Sequence, residues 1–413
     1  MDIIAKLKHM EPFVSPLPEK RTPEPKANLV KWIPGDEIQN DFGTCFKYLT
    51  TYSRDQLNGK NLLNELEKLE NKGFALAAKD KNLLDFNPRK TLFVDTETTG
   101  LAGGTGTVPF LIGIGYFSDQ GFCIDQYMMR DYHEEAALLH ALESRFQEAE
   151  FIVSYNGKSY DLNILSTRLI LNRIDSYLND LHHFDLLHTV RRIWGARLRD
   201  CSLTNIEQKI LKFFRDDDIP GYLIPHVYFD YINSGNGQKM IQVFEHNRLD
   251  ILTLAVLTAR TAKIHLDPEQ FLKHPRDFFS IAKSLESIGE FRKASLCYKK
   301  ALQHQLMHSD KEQILYRLGY LFKRSRNWSQ ANKTWEYIIK HYTHSLTAYE
   351  ELAKYYEHKT RNYKKASDFV HKALKHIEIL QELKGDYLYL NTRAEFEYRL
   401  NRLRRKGLHK LGK

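Results

Sequence analysis

Between residues 91 and 174 the apolar pattern changes period in a fixed order, and that order limits the fold more than any other feature of the chain. "TLFVD", "VPFLIGIGYF" and "GFCIDQYMM" read as three strands, the last two joined by "SDQG", a good hairpin turn. "HEEAALLHALESRFQEA" then has the spacing of an amphipathic helix, "EFIVSYN" reads as a strand, and "YDLNILSTRLILNR" as another helix. A meander of three strands followed by alternating helix and strand predicts an α/β layer fold, a mixed sheet flanked by helices, over residues 91–262.

The rest of the chain divides around this block. Five prolines fall in "PFVSPLPEKRTPEP", which cannot hold a helix or a central strand, so residues 1–35 are expected to form an extended N-terminal arm. Residues 36–90 read as a lead-in subdomain, with the leucines of "LLNELEKLENKG" at helical spacing and Gly73 as the stop. After about residue 263 the strand signals vanish. Aligning "AKSLESIGEFRKASLCYKKAL", "GYLFKRSRNWSQANKTWEYII" and "KYYEHKTRNYKKASDFVHKAL" places Ala294, Ala331 and Ala366 at spacings of 37 and 35. Ala282 and Gly319 stand twelve residues before the first two, whereas Lys354 stands there in the third. This is close to the helix-turn-helix period of tetratricopeptide repeats, so residues 263–413 are expected to be an all-α repeat domain with a basic tail.

Composition narrows the partners. The 413 residues are 42% hydrophobic, and 61 Lys+Arg against 52 Asp+Glu give a net charge of +9, which suits a polyanion such as nucleic acid. Cys45, Cys123, Cys201 and Cys297 are too scattered for a zinc site and read as isolated thiols. "MDIIAKLKHMEPF" is too charged for a signal peptide, and no run reaches the ~20 apolar residues of a membrane span, so a cytoplasmic protein without a membrane segment is expected.

The chemistry lies in separated acids. "TLFVDTETTG" ends an apolar run in Asp95 and Glu97, which project to one side of a strand. Like charges held that close call for a cation between them, unless they are ordinary loop charges at a strand end. "SYNGKSYDLNIL" puts Asp161 just inside a helix. "EHNRLDILTLAVL" puts His246 and Asp250 at i and i+4 on one helix face. An aspartate in an apolar helix is costly without a partner, and a cation supplies one.

Asp95-x-Glu97 in "VDTETTGL", Asp161 in "YNGKSYDLNIL" and Asp250 in "HNRLDILTL" resemble, in order, the three motifs of the DEDD superfamily of 3′-to-5′ exonucleases. The continuation "TTGLAGGTGTVPFLIGIGYF", the later "RDDDIPG" and the C-terminal repeats resemble more narrowly the YprB-like bacterial predicted exonucleases. The resemblance implies a ribonuclease H-like core and hydrolysis of phosphodiester bonds at nucleic-acid 3′ ends, releasing nucleoside 5′-monophosphates. It also implies two metal ions held by Asp95, Glu97, Asp161 and Asp250, with Asp95 bridging. Four hard oxygen donors without sulfur point to Mg²⁺ or Mn²⁺. One branch of the superfamily places a histidine base five residues before the last aspartate, and another a tyrosine four before it. His246 joins the residue of one to the spacing of the other, and its ordinary pKa suits base work near neutral pH.

Weaker candidates surround this set. Tyr155 and Asn156 could contact the strand end, although an Asn-Gly turn explains Asn156 without a ligand. Asp185 in "HHFDLLH" ends a short strand, and Asp216, Asp217 and Asp218 cap the segment before Pro220 or orient its loop. The glycines of "GLAGGTGTVPF" lack the Gly-Lys-Ser/Thr ending of a nucleotide-binding P-loop. The tail "RLNRLRRKGLHKLGK", with seven Lys+Arg, either tracks a nucleic-acid backbone or is a solvated end. The repeats are expected to take a protein partner, and the core a single-stranded DNA or RNA 3′ end. A noncatalytic nucleic-acid-binding adaptor and an endonuclease on the same core are the alternatives.

Overall fold

A computed structural model describes residues 29–53, 62–100, 106–342, 345–384 and 389–411. Most of the expected arm and the glycine-rich loop at 101–105 lie outside the described residues. Two compact units are found: residues 1–191 with 200–266, and residues 192–199 with 267–413.

The first unit is built on a seven-stranded mixed sheet. Its strands are β1 (Asp36–Asn40), β2 (Gly43–Ser53), β3 (Thr91–Thr98), β4 (Pro109–Phe117), β5 (Gly121–Met128), β6 (Phe151–Ser154) and β7 (His182–Asp185). They lie in the order β1-β2-β5-β4-β3-β6-β7. Neighbours from β1 to β3 in that order run antiparallel, and β3, β6 and β7 run parallel. The β4–β5 turn closes through Ser118 and Gly121, whose backbone N–H groups each donate to the other's carbonyl at 2.8 and 3.3 Å, as "SDQG" predicts.

Three expectations for the N-terminal part of the chain differ from the structure. It is not a separate subdomain, because β2 pairs with β5 from Phe46↔Met128 to Ser53↔Gly121 and so completes the sheet. The last residues of the expected arm also belong to the fold, with Leu29 and Ile33 buried in the main core. Gly73 is not a helix stop. It lies inside a helix, Asn71–Ala78, where an added Cβ would come within 2.9 Å of Leu266 Cδ1. The glycine is there for close helix packing rather than for its turn-forming freedom.

Helices cover both faces of the sheet. Arg145, on the helix Glu135–Glu148, donates to Tyr116 Oη at 2.7 Å and Asp125 Oδ2 at 2.9 Å on one face. On the other lies the 27-residue helix Met240–Leu266. Strand alternation puts Phe93, Asp95 and Glu97 on that second face, together with their cross-strand partners Gly115, Gly113 and Leu111. An added Cβ on Gly113 would sit 2.2 Å from Asn247 Oδ1, and on Gly115 2.5 Å from Ile251 Cγ2. These two glycines let the long helix lie directly on the strand beside β3.

The second unit is helical. Pro275–Ser287 packs with Phe291–Leu302, His308–Arg324 with Trp328–His341, and Leu346–His358 with Tyr363–Lys384, before a final helix Leu390–Leu411. Ala282, Ala294, Ala331 and Ala366 are all buried, and an added Cβ on Gly319 would meet Trp335 at 2.5 Å. In the third pair the buried small residue is Ala353, one position before the half-exposed Lys354. Ala353 packs there in one core with Ala366 and Val370.

Among the described residues no helix is long and apolar enough to cross a membrane. All four cysteines are buried and free.

Candidate metal centre

The parallel pairing of β3 with β6 makes both strands end on the same side of the sheet. There β3 presents Asp95 and Glu97, and the chain leaving β6 turns through Tyr155, Asn156 and Gly157 into the helix Asp161–Leu171. Asn156 takes the left-handed conformation, with φ at 67°, which asparagine tolerates. Gly157 is required by space, since an added Cβ would lie 2.2 Å from Ser154 Oγ. Asp185, at the end of β7, fastens this turn by accepting from the backbone N–H of Asn156 (2.9 Å), Lys158 (3.2 Å) and Leu187 (3.0 Å). Asp161 thereby reaches the first turn of its helix, buried, and accepts from Thr96 Oγ1 at 2.6 Å.

The long helix brings the remaining groups from the other direction. One ligand atom each from Glu97, His246 and Asp250 lie within 4.8 Å of one another. Asp95 adjoins them, its Oδ2 accepting from Asn247 Nδ2 at 3.0 Å, while Asn247 Oδ1 accepts from Gln126 Nε2 at 2.9 Å. The tightest grouping is therefore Glu97, His246 and Asp250. Asp95 is shared with an amide, and Asp161 with a hydroxyl.

The electrostatics follow from crowding. Burial pushes the Asp95 carboxyl well above the usual range, and repulsion from Asp250, Glu97 and Asp161 adds to it against the Asn247 hydrogen bond. Burial likewise pushes Glu97 up to about 8, with His246 opposing and Asp250 and Asp161 reinforcing. Asp161 rises to about 6, chiefly by burial, with the Thr96 hydrogen bond holding it back. Carboxylates gathered in this way are stable as anions only beside positive charge. The donor set, four carboxylates and one imidazole without thiolate, fits a hard divalent cation.

Three residues here went unrecognised as site residues in the sequence reading, although two stood in a quoted motif. Arg215, in "FRDDDIPG", is buried with its guanidinium donating to Asp250 Oδ1, to Glu207 Oε1 (2.6 Å) and Oε2 (2.8 Å), and to Asp218 Oδ2 (3.2 Å). Glu207 lies on a single π-helical turn, Glu207–Leu211, and also accepts from Thr253 Oγ1. Asp218 Oδ1 lies 2.8 Å from His246 Nδ1. An ionised carboxylate only accepts, so the Nδ1 proton points to Asp218 and the other ring nitrogen, Nε2, faces Asp250 Oδ2 at 3.6 Å. Burial opposes the histidine's charge, but Asp250, Glu97 and Asp218 outweigh it and raise the His246 pKa. The available signal was an arginine followed directly by three aspartates.

The weaker candidates have structural partners. The Tyr155 hydroxyl donates to the Cys201 carbonyl, and the Asp185 carboxylate is engaged by three backbone N–H groups.

Comparison with known proteins places these residues in a family. Residues 92–262 match the model of the RNase_H superfamily. The chain is 30% identical over 325 residues to the uncharacterized protein YprB of Bacillus subtilis (strain 168), covering 78% of this chain and 76% of that one.

Proposed function

Because the chain belongs to the family of the uncharacterized protein YprB and carries an RNase H superfamily domain, we propose that it is a divalent-metal-dependent 3′-to-5′ exonuclease. It would act on single-stranded DNA or RNA and release nucleoside 5′-monophosphates. The observation that carries this reading is the convergence of Glu97, His246 and Asp250, with Asp95 and Asp161 alongside, at the strand ends of an RNase H-like sheet.

Asp95, Glu97, Asp161 and Asp250 would hold two Mg²⁺ or Mn²⁺ ions. When bound, such ions supply Lewis-acid activation of water and offset the charge of the scissile phosphate. The protein's own groups do the rest. Glu97 and Asp250 approach from the strand and the helix, fixing the position at which a terminal phosphodiester can lie. His246, with Nδ1 engaged by Asp218, offers Nε2 as the general base that removes a proton from the attacking water. Arg215 holds Oδ1 of Asp250, and the other oxygen, Oδ2, faces His246. Asp185 and the Asn156 turn support Asp161 from behind, so their part is to position it.

A buried small residue in each helix pair of the second unit supports a tetratricopeptide-like reading of that unit. A cytoplasmic enzyme fits four free thiols.

The test is a product assay on matched 3′- and 5′-labelled single-stranded DNA and RNA with Mg²⁺, Mn²⁺ or chelator. Release of mononucleotides from free 3′ ends, abolished by chelator and by a 3′ block, is the expected result. Cutting of circular substrates would assign an endonuclease instead, and no cleavage of any substrate with either metal would leave the adaptor reading.

A further inference from the structure

The helical unit has a cavity of about 300 Å³ whose lining includes both rings and cations, among them Trp328, Tyr355, Lys354, Lys359, Arg399 and Arg402. Trp328 opens the helix Trp328–His341 and Tyr355 lies near the end of Leu346–His358, with ring centroids 5.8 Å apart. Lys359 Nζ stands 4.9 Å from the Trp328 ring centre. Both rings are half-buried, so each keeps part of its surface toward the cavity.

The cations are anchored from beneath. Glu357 is buried and accepts from Arg402 Nε (2.9 Å) and Nη2 (2.7 Å), Arg399 Nη1 (3.0 Å) and Lys406 Nζ (2.9 Å). Burial opposes its ionisation, yet Arg402 and Lys406 hold its carboxyl down at about 2. Glu351, also buried, pairs with Lys323 and with Lys354 at 3.4 Å, and Glu350 pairs with Lys354 at 2.8 Å and Arg399 at 3.3 Å. Lys323, Lys354, Lys359, Arg399, Arg402 and Lys406 thus outnumber Glu350, Glu351 and Glu357 by six to three. These carboxylates anchor Lys323, Lys354, Arg399, Arg402 and Lys406, and Lys359 stands over the Trp328 ring.

We propose that this cavity is a second nucleic-acid site, at which single-stranded DNA or RNA stacks a base against Trp328 and Tyr355 and sets its phosphates against Lys359, Lys354, Arg399 and Arg402. Cations and half-buried aromatic rings lining one cleft match a polymer that alternates phosphate and base. An acidic peptide would use the cations but has no matching need for the rings, so the protein partner expected from the repeats gives way at this cavity. The choice of polymer rests on the nuclease reading. The geometry of the cavity does not.

The test uses the full chain carrying Asp95→Asn, in chelator, with labelled oligo(dT) and oligo(U) of about 30 nucleotides. Adding Lys359→Glu should weaken binding several-fold and lower the slope of log affinity against log salt by about one. Adding Trp328→Ala should weaken it about ten-fold. Thermal melts establish that each variant is folded, and Lys359→Glu alters an exposed side chain outside the Glu351 and Glu357 networks. Unaltered affinity and salt slope in folded Lys359→Glu, or no oligonucleotide binding at all, overturns the proposal. So does loss of poly-L-glutamate binding in Lys359→Glu with oligonucleotide binding intact, which would assign an acidic peptide. Absence of cleavage by the wild type, with strand binding still lost in Lys359→Glu, would sink the nuclease reading and leave this site standing.

Discussion

His246 meets Asp218 through Nδ1 at 2.8 Å, a contact between the N-terminal part of a long helix and a loop 28 residues earlier. Such a partner fixes the tautomer of a histidine and the direction of its free nitrogen. Asp218→Asn should therefore lower turnover by about 10–100-fold and shift the acid limb of the pH profile, with little change in melting temperature. His246→Ala should cost roughly 10²–10⁴-fold in turnover. Wild-type turnover in folded His246→Ala would remove the histidine from the mechanism.

Asp95→Asn deletes a candidate metal ligand and also removes a carboxyl whose ionisation is opposed by burial and by three neighbouring acids. Nuclease activity should be lost nearly completely. The metal-free variant should melt at or above the wild-type temperature, as measured by calorimetry in chelator.

The stability of the metal-free protein should fall as pH rises. Glu97 has its folded pKa raised from 4.5 to about 8, so the folded state binds its proton more tightly than the unfolded chain does. The resulting stabilisation is present below pH 4.5 and is lost progressively toward pH 8. Denaturant titrations in chelator should show this decline, Glu97→Gln should flatten it, and Mg²⁺ should restore stability most at the alkaline end.

Arg215 is a buried cation shared by Glu207, Asp218 and Asp250. Arg215→Ala leaves three carboxylates without it and should destabilise the protein by about 3–5 kcal/mol. A divalent cation replaces part of the lost charge, so Mn²⁺ should raise the melting temperature of this variant more than that of the wild type. Equal increments in both would show that Asp250 does not lie at the metal.

Gly113→Ala drives a methyl group toward Asn247 Oδ1, 2.2 Å away. Pushing the long helix off β4 should cost about 1–3 kcal/mol and reduce activity in folded molecules, because Asn247 and His246 move together. Far-ultraviolet melts and initial rates on one preparation measure both.

Local pattern made β3 through β6 and the long helix readable, since each carries its own period and its own turn residues. The same pattern could not show that β2 pairs with β5, because that contact joins segments some 75 residues apart and leaves no local trace. Asp95, Glu97, Asp161, His246 and Asp250 were legible as acids and a histidine set into apolar elements. Arg215, Asp218 and Glu207 were not, because a loop charge reads as solvated until the fold shows what it faces. Gly73 misled for a related reason, as a glycine that admits a neighbouring helix looks the same in sequence as one that ends its own.

The pairing of β2 with β5 also bears on how the enzyme can be dissected. A fragment trimmed to residues 92–262 would strip β5 of its neighbour and leave a row of unsatisfied N–H and C=O groups along Gly121–Met128, most of whose side chains are apolar. A naked edge of that kind templates pairing between molecules. Such a fragment would self-associate, whereas one beginning near residue 29 would carry its own protective border.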